Sequence, residues 1–407
     1  MANDLFFSRD TKLVVKCDST FFEIPVLDGF SFSQATNASE ITLQEMESSL
    51  GVSRRARKLF NDSMAPAEWS FSTYARPFLS DPALTSLGWD GATAAIHAVE
   101  EVLWAALVGT GTLVEGVQAD GQTNTNSAWS DNVTPNATSQ TWDANTHKRL
   151  TVDFLGSNKS TVKEIELFFI MGSGAYAAST HQVYKLSKAV VNAASIDFDI
   201  DGIATINWSG FASDITDQTS QPTVTISEGV SATNNFIRNR LTTLAVAVTG
   251  VGDANIPTGN MVATYTLTLT GGSINFENNI TYLTPDTIGE VNQPIGHVTG
   301  TRTIGGSFTC YLSNSSGGSA DLFEDLVTSN TLTTNKFGLT FHIGGTPAAA
   351  ATANPHLSVN LPACHLEIPA HSIEDVISVE TTFSALPTSI TSADEATIQY
   401  KGLAVTL

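Results

Sequence analysis

The chain of 407 residues has little cysteine, little basic charge and no long apolar run. Its three cysteines, Cys17, Cys310 and Cys364, are too few and odd in number for a disulfide scaffold, which suits synthesis in a reducing cytoplasm. Met1-Ala2-Asn3-Asp4 lacks the charged and apolar regions of a secretory leader, and no segment is long enough to cross a bilayer as a helix. Neither secretion nor a membrane anchor is therefore expected. Nineteen Lys and Arg against 40 Asp and Glu leave a net charge of −21, which opposes binding to phosphate backbones or anionic lipid and argues against a nucleic-acid reader. Catalytic signatures are missing as well. There is no Gly-x-Ser-x-Gly elbow, no Cys-x-x-Cys and no phosphate loop, since Gly109-Thr110-Gly111 lacks the following Lys-Ser or Lys-Thr.

What is present is 42% hydrophobic residue content arranged mostly with period two, enough for sizeable cores in two or three domains. Strands are expected at Leu13–Val15, Phe22–Val26, Phe30–Ser33 continuing to Glu40–Leu43, Glu68–Tyr74, Leu150–Phe154 and Glu164–Phe169. A hairpin runs from Ser195 through the turn Asp201-Gly202 to Phe211. Helical spacing of Ile96, Val99, Leu103, Ala106 and Leu107 predicts a helix of roughly 25 Å, stopped by Gly109. Residues 46–66 read as a long exposed loop with the basic cluster Arg54, Arg55, Arg57 and Lys58. Residues 117–147 and the alanine-rich 346–354 read as solvated loops, the first expected to be the most mobile part.

The sequence also contains its own relative. Glu68-Trp69-Ser70-Phe71-Ser72-Thr73-Tyr74 returns as Gly305-Gly306-Ser307-Phe308-Thr309-Cys310-Tyr311, and further matches follow in the same order. Thr11–Val15 answers Thr242–Val246, Leu27–Phe32 answers Leu269–Ile274, Val102–Val108 answers Asp321–Val327, and Trp208–Phe211 answers Phe383–Leu386. Two copies of one fold are expected, 1–215 and 236–407 joined by a polar linker 216–235, with a shorter second helix from near Ser319.

Two constellations invite a chemical reading. Asp197, Asp199 and Asp201 before Gly202 match the first half of a calcium loop, but Trp208 stands where the bidentate Glu would be, and alternating acids on a strand share one face anyway. His365, Glu367 and His371 read as surface residues separated by Pro369 rather than as metal ligands. No catalytic residue, metal site or cofactor is expected.

Over Phe60–Tyr74, and again over Asn278–Pro285, the sequence resembles the major tail tube proteins of long-tailed siphophages, of the duplicated-domain type that forms trimeric rings. The resemblance covers nearly the whole chain. It implies a mainly β fold, a β-sandwich or half-barrel with one flanking helix per domain. It also implies a non-enzymatic virion protein, made in the host cytoplasm, whose rings stack into the tube that conducts the genome. Partners would be further copies of itself, the tape measure and tail completion proteins, and double-stranded DNA in transit without specific binding; no membrane is involved. The tube of a contractile tail or secretion machine is the neighbouring reading, and a calcium-dependent hydrolase using Asp197, Asp199 and Asp201 the remote one.

In such a tube, bulky residues of the alternating strands should face the core: Phe30, Phe32, Trp69, Phe71, Ile206 and Trp208. Their neighbours Ser31, Ser33, Ser70, Ser72, Asn207 and Ser209, with Ser273, Asn275, Ser307 and Thr309 in the second copy, should line the lumen, and Glu68, Asp197 and Asp199 should supply its negative charge. Arg54, Arg55, Arg57 and Lys58 are expected at contacts with an adjacent ring or subunit.

Overall fold

Alternating apolar and polar residues fold more than half of the described residues into strands, and the named strands all pair antiparallel. The computed structural model describes residues 5–42, 57–79, 96–109, 129–131, 150–154, 162–172, 177, 180–224, 236–248, 264–286, 288, 291–328, 337–345, 355–373, 375–389 and 394–401. The first part of the chain gives β1 (Thr11–Cys17), β2 (Thr20–Ile24), β3 (Ser31–Ser33), β4 (Thr36–Thr42), β5 (Arg57–Met64), β6 (Ala67–Tyr74), β7 (Pro77–Leu79), β8 (Ile96–Ala98) and helix α1 (Glu101–Val108). After it come β9 (Trp129–Asp131), β10 (Leu150–Asp153), β11 (Ile165–Met171), β12 (Gln182–Asp199), β13 (Thr205–Ala212) and β14 (Asp214–Gln218). The second part gives β15 (Thr243–Val248), β16 (Thr264–Leu267), β17 (Leu269–Glu277), β18 (Thr281–Leu283), β19 (Gly296–Val298), β20 (Thr303–Tyr311) and helix α2 (Ser319–Thr328). It ends with β21 (Phe337–Ile343), β22 (His356–Leu366), β23 (Ala370–Ser372), β24 (Ser378–Ala385) and β25 (Thr397–Lys401).

The pairings resolve into one central sheet and two outer sheets. The central sheet runs β3-β6-β13-β12-β17-β20-β24 and ends on the last residues of β22 together with β23. One outer sheet runs β2-β1-β11-β12-β14; the other runs β16-β15-β21-β22-β25, extended by β10 and β9. Strands β12 and β22 each belong to an outer sheet at their start and to the central sheet at their end. Both ladders slip at the same place: Ile165 opposite Ala189 and Leu167 opposite Leu186 in one, Phe337 opposite Cys364 and Leu339 opposite Leu361 in the other.

The main core lies between the central and outer sheets. Its largest fully buried side chains include Trp104, Trp208, Tyr265, Tyr400, Phe169, Phe276, Phe308 and Phe341. Helix α1 has apolar residues all round after Glu101, and every one of its residues is buried. Trp104 meets Trp208 and Phe276 edge-on at 4.8 and 5.5 Å and donates its indole N–H to Tyr400 Oη at 2.8 Å, so one residue ties three strands together.

Several sequence expectations are corrected. The helix begins only at Glu101, whose carboxylate accepts the Ala98 N–H, because Ile96-His97-Ala98 pairs with β7 instead. All of its residues are buried, and at eight residues it is shorter than α2, which has ten. The expected loop before β6 contains a strand, since β5 pairs with β4 as a hairpin. Strand β9 falls within 117–147, and its neighbour β10 joins β25 of the second series. Strand β14 continues to Gln218, into the expected linker. Matched by the ladders, Trp208–Phe211 correspond to Thr381–Ser384, because Ser70 faces Ser209 while Ser307 faces Thr382. The rest of 117–147 and all of 346–354 lie outside the described residues.

The buried cluster at α1 also sets a pH dependence. Glu100 is fully buried and accepts the Tyr400 hydroxyl at 2.6 Å; desolvation pushes its carboxyl up to about 7. A carboxyl whose folded pKa is raised binds its proton more tightly in the folded state, so its stabilising contribution is complete below about 4.5 and falls away as pH rises to about 7. Glu100→Gln keeps an acceptor for Tyr400 and removes the ionisation. Thermal unfolding of the subunit should show it stabilised by ~3 kcal/mol at pH 8 and little changed at pH 4.5. An equal shift at both pH values would contradict this origin.

Candidate functional site

Two features of the central sheet stand apart from a closed core: a polar outward face and two unpaired edges. Strict alternation builds the face. Trp69, Phe71, Ile206 and Trp208 are at most 3% exposed on the core side, with Phe30 and Phe32 packed against that core. Their neighbours point the other way. Across the sheet, Ser31, Ser70 and Ser209 stand side by side; so do Ser72, Asn207, Ser195 and Asn275, and Asp197, Ser273, Ser307 and Thr382. Ser33 lies opposite Glu68, and Asp199 and Thr309 flank Gly271.

Short polar side chains lock to one another along these rows. Ser31 and Ser70 hydroxyls are 2.8 Å apart, Ser72 donates to Asn207 Oδ1 at 2.6 Å, and the Asn207 amide donates to Ser195 at 3.2 Å and to Asp197 at 2.6 Å. The sequence reading missed Glu277, Glu367, Glu380 and Thr382. Glu277, Glu380 and Thr382 continue the same alternation, while Glu367 accepts the Thr382 hydroxyl at 2.6 Å. The signal was legible in Ser378–Ala385, where Val379, Thr381, Phe383 and Ala385 are buried and the intervening residues are not. Within the central-sheet portions of these strands, this face has carboxylates and no lysine or arginine.

Packing requires glycine in this sheet at two close approaches. A Cβ on Gly210 would stand 2.0 Å from the Val190 carbonyl oxygen, and one on Gly306 2.0 Å from that of Ser273. Beyond one end of the face, Ile280 and Tyr282 close over Val162, Val190 and Phe211, and the Tyr282 hydroxyl donates to the Lys188 carbonyl.

The unpaired edges lie at opposite sides of the sheet. Among the described residues, no strand pairs with the outer edge of β3 or with the outer edge of Glu367–Ser372. At the middle of the sheet the corresponding edges are paired, β12 with β17, over Ala193–Asp199 and Gly271–Glu277. The hairpin β4–β5 continues beyond the end of the β3–β6 pair with Arg57, Lys58, Leu59 and Phe60 exposed; Arg57 stands 3.6 Å from Glu40. Arg54 and Arg55 lie outside the described residues.

The acidic triplet does not converge on a cation. Asp197 accepts from Asn207, Asp199 from Asn239 at 3.4 Å, and Asp201 pairs with Arg240 at 3.6 Å. His371 packs edge-on against Phe323, and Glu367 accepts from Thr382. Among the described residues no group of His, Cys, Asp and Glu is placed to hold a metal ion.

No family model matches the chain. It is similar to tail tube protein pb6 of Escherichia phage T5, with 27% identity over 384 residues that span 92% of this chain and 69% of that protein. This likeness to a siphophage protein supports a structural role in the virion as a tail tube protein.

The two faces differ in what substitution should cost. Trp208→Ala should destabilise the subunit by about 3–5 kcal/mol in denaturant unfolding, while Ser209→Ala should stay within about 0.5 kcal/mol. The opposite ranking would refute the assignment of faces.

Proposed function

We propose that the chain is a tandem duplication, 1–218 and 236–407 joined by 219–235, and that three copies close head to tail into a ring. Stacked rings then form the tube through which the genome passes. The observation that supports this reading is the β12–β17 junction, where the last central strand of one series pairs with the first of the next. The shared ladder slip equates Ala189 with Cys364, hence Ser195 with Ala370 and Asp197 with Ser372. Equal pairing with Ser70 and Ser307 equates Ser31 with Ser273. Ser195 faces Asn275 and Asp197 faces Ser273 within the chain, so Ala370 of one copy should face Ser33 of the next, and Ser372 should face Ser31.

Closing the ring this way pairs both open edges with backbone hydrogen bonds and leaves none exposed. Eight central strands per chain give a barrel of about 24 strands. At ~4.8 Å spacing and ~40° tilt its backbone diameter is roughly 48 Å, with a bore of about 38 Å between side chains. That is wider than a DNA duplex. The polar face would be the lumen, with Ser31, Ser33, Glu68, Ser70, Ser72, Asp197, Asp199, Asn207, Ser209, Ser273, Asn275, Ser307 and Thr309 in its wall. Lacking cations, such a wall releases no counterions from the phosphates and does not hold the passing duplex. The role is structural and not catalytic. Likeness to a siphophage protein gives no support to the contractile-tail or calcium-hydrolase readings. The β4–β5 hairpin, with Arg57 and Lys58 and the adjoining Arg54 and Arg55, would contact the adjacent ring or subunit. Tape measure and tail completion proteins would meet the tube, and no membrane is involved.

Cryo-electron microscopy of purified tubes should resolve three chains per ring; six chains per ring would overturn the proposal. Ser307→Lys should still assemble, yet phage with this substitution should eject DNA more slowly at low salt and recover at high salt. Unchanged ejection at every salt concentration would remove Ser307 from the lumen.

A further inference from the structure

We propose that Leu5-Phe6-Phe7, ahead of β1, is an inter-subunit arm that docks on the β23–β24 turn of the preceding copy; this rests on the head-to-tail ring proposed above. Leu5, Phe6 and Phe7 are 75%, 49% and 44% exposed, an apolar run covered in part by the Arg9 guanidinium, 5.3 Å from the centre of the Phe7 ring. A second exposed apolar group, Tyr311, Leu312, Val376 and Ile377, surrounds the β23–β24 turn.

The chain contains a filled version of this contact. Ahead of β15, Phe236-Ile237-Arg238 crosses onto the β12–β13 turn. Arg238 forms an antiparallel bridge with Ile203, the Ala204 N–H donates to the Ile237 carbonyl at 2.8 Å, and Phe236 meets Tyr74 edge-on at 5.5 Å. Ile237 is fully buried there, as are Ala75 and Ala204.

Both halves of that contact have exposed counterparts. The lead-ins correspond because each is followed by a three-residue 3-10 turn, Ser8–Asp10 before β1 and Asn239–Leu241 before β15, closed by the same backbone hydrogen bond to its first residue. Leu5, Phe6 and Phe7 therefore stand where Phe236, Ile237 and Arg238 stand. The receiving sites correspond because Leu312 N–H donates to the Ile377 carbonyl at 2.9 Å, as Ala75 N–H donates to that of Ala204 at 3.0 Å. Tyr311, Leu312, Val376 and Ile377 thus match Tyr74, Ala75, Ile203 and Ala204. Phe6, Leu312 and Ile377 are exposed at positions whose counterparts, Ile237, Ala75 and Ala204, are fully buried at the filled contact. The same head-to-tail relation that joins β22–β23 to the next β3 brings the two together. Phe7 should then lie opposite Val376, with the Ile377 N–H donating to the Phe6 carbonyl.

Paired cysteines test this, since residues directly opposite across an antiparallel bridge stand within disulfide reach. One chain would bear Phe7→Cys with Val376→Cys, and another Ser33→Cys with Ala370→Cys; the native cysteines are buried. After mild oxidation of assembled tubes, non-reducing denaturing gels should show covalent dimers and trimers for both. Cross-linking of the edge pair alone would overturn the arm and leave the ring standing. Failure of both in tubes that form would overturn the ring reading and the arm with it, whereas cross-linking of the arm pair alone would support the arm and overturn the strand register. If the cysteine variants do not assemble, Phe6→Asp decides. Its subunit should keep the parent's thermal midpoint and lose at least tenfold in tube yield, and parental yield would overturn the arm.

Discussion

Backbone hydrogen bonding at the edges of the central sheet is the constraint on which the rest depends. A strand edge with free N–H and C=O groups invites pairing, and natural proteins cover such edges, charge them or close them. Here the chain closes one such edge on itself at β12–β17 and, among the described residues, leaves two others unpaired, β3 and Glu367–Ser372, which on the proposed duplication repeat the closed pair. On the proposed head-to-tail closure, an isolated subunit is an unfinished barrel. Its exposed apolar lead-in and exposed apolar turn follow the same logic, as each has an internal counterpart already in contact.

The sheet then serves two environments through a period of two. Aromatic and aliphatic residues on one face meet the outer sheets and α1, while serine, asparagine, threonine and carboxylates occupy the other. The outer sheets are bonded to the same strands, because β12 and β22 run on from one layer into the next. A bulge at Val191/Ala193 bends β12 where it changes layers. Core packing and the polar face are thereby fixed by the same backbone, so a one-residue slip would exchange them.

The strands and their faces were legible in the sequence, because strict alternation in Ala67–Tyr74 and Thr205–Ala212 leaves one register that buries the rings. Helix α1 was half legible: its apolar residues occur at every spacing, so periodicity could not separate the strand Ile96–Ala98 from the helix that follows. The β4–β5 hairpin was missed because its strand β5 is exposed throughout most of its length and has no apolar alternation to announce it. Matching Trp208–Phe211 to Phe383–Leu386 followed residue likeness, whereas the ladder closes across seven residues at Asp197–Thr205 and five at Ser372–Ser378, which sets Trp208–Phe211 level with residues two positions earlier. Because that slip is even, each residue kept its face. The unpaired edges were not legible at all, since an edge is defined by a missing neighbour and not by composition.

Hydrogen exchange followed residue by residue on the subunit and on the assembled tube addresses the edges directly. The account predicts that amides of Ser31–Ser33 and Ala370–Ser372 exchange rapidly in the isolated subunit and become protected on assembly, while amides at the β12–β17 junction are protected in both. Edges that exchange equally fast before and after assembly would contradict it.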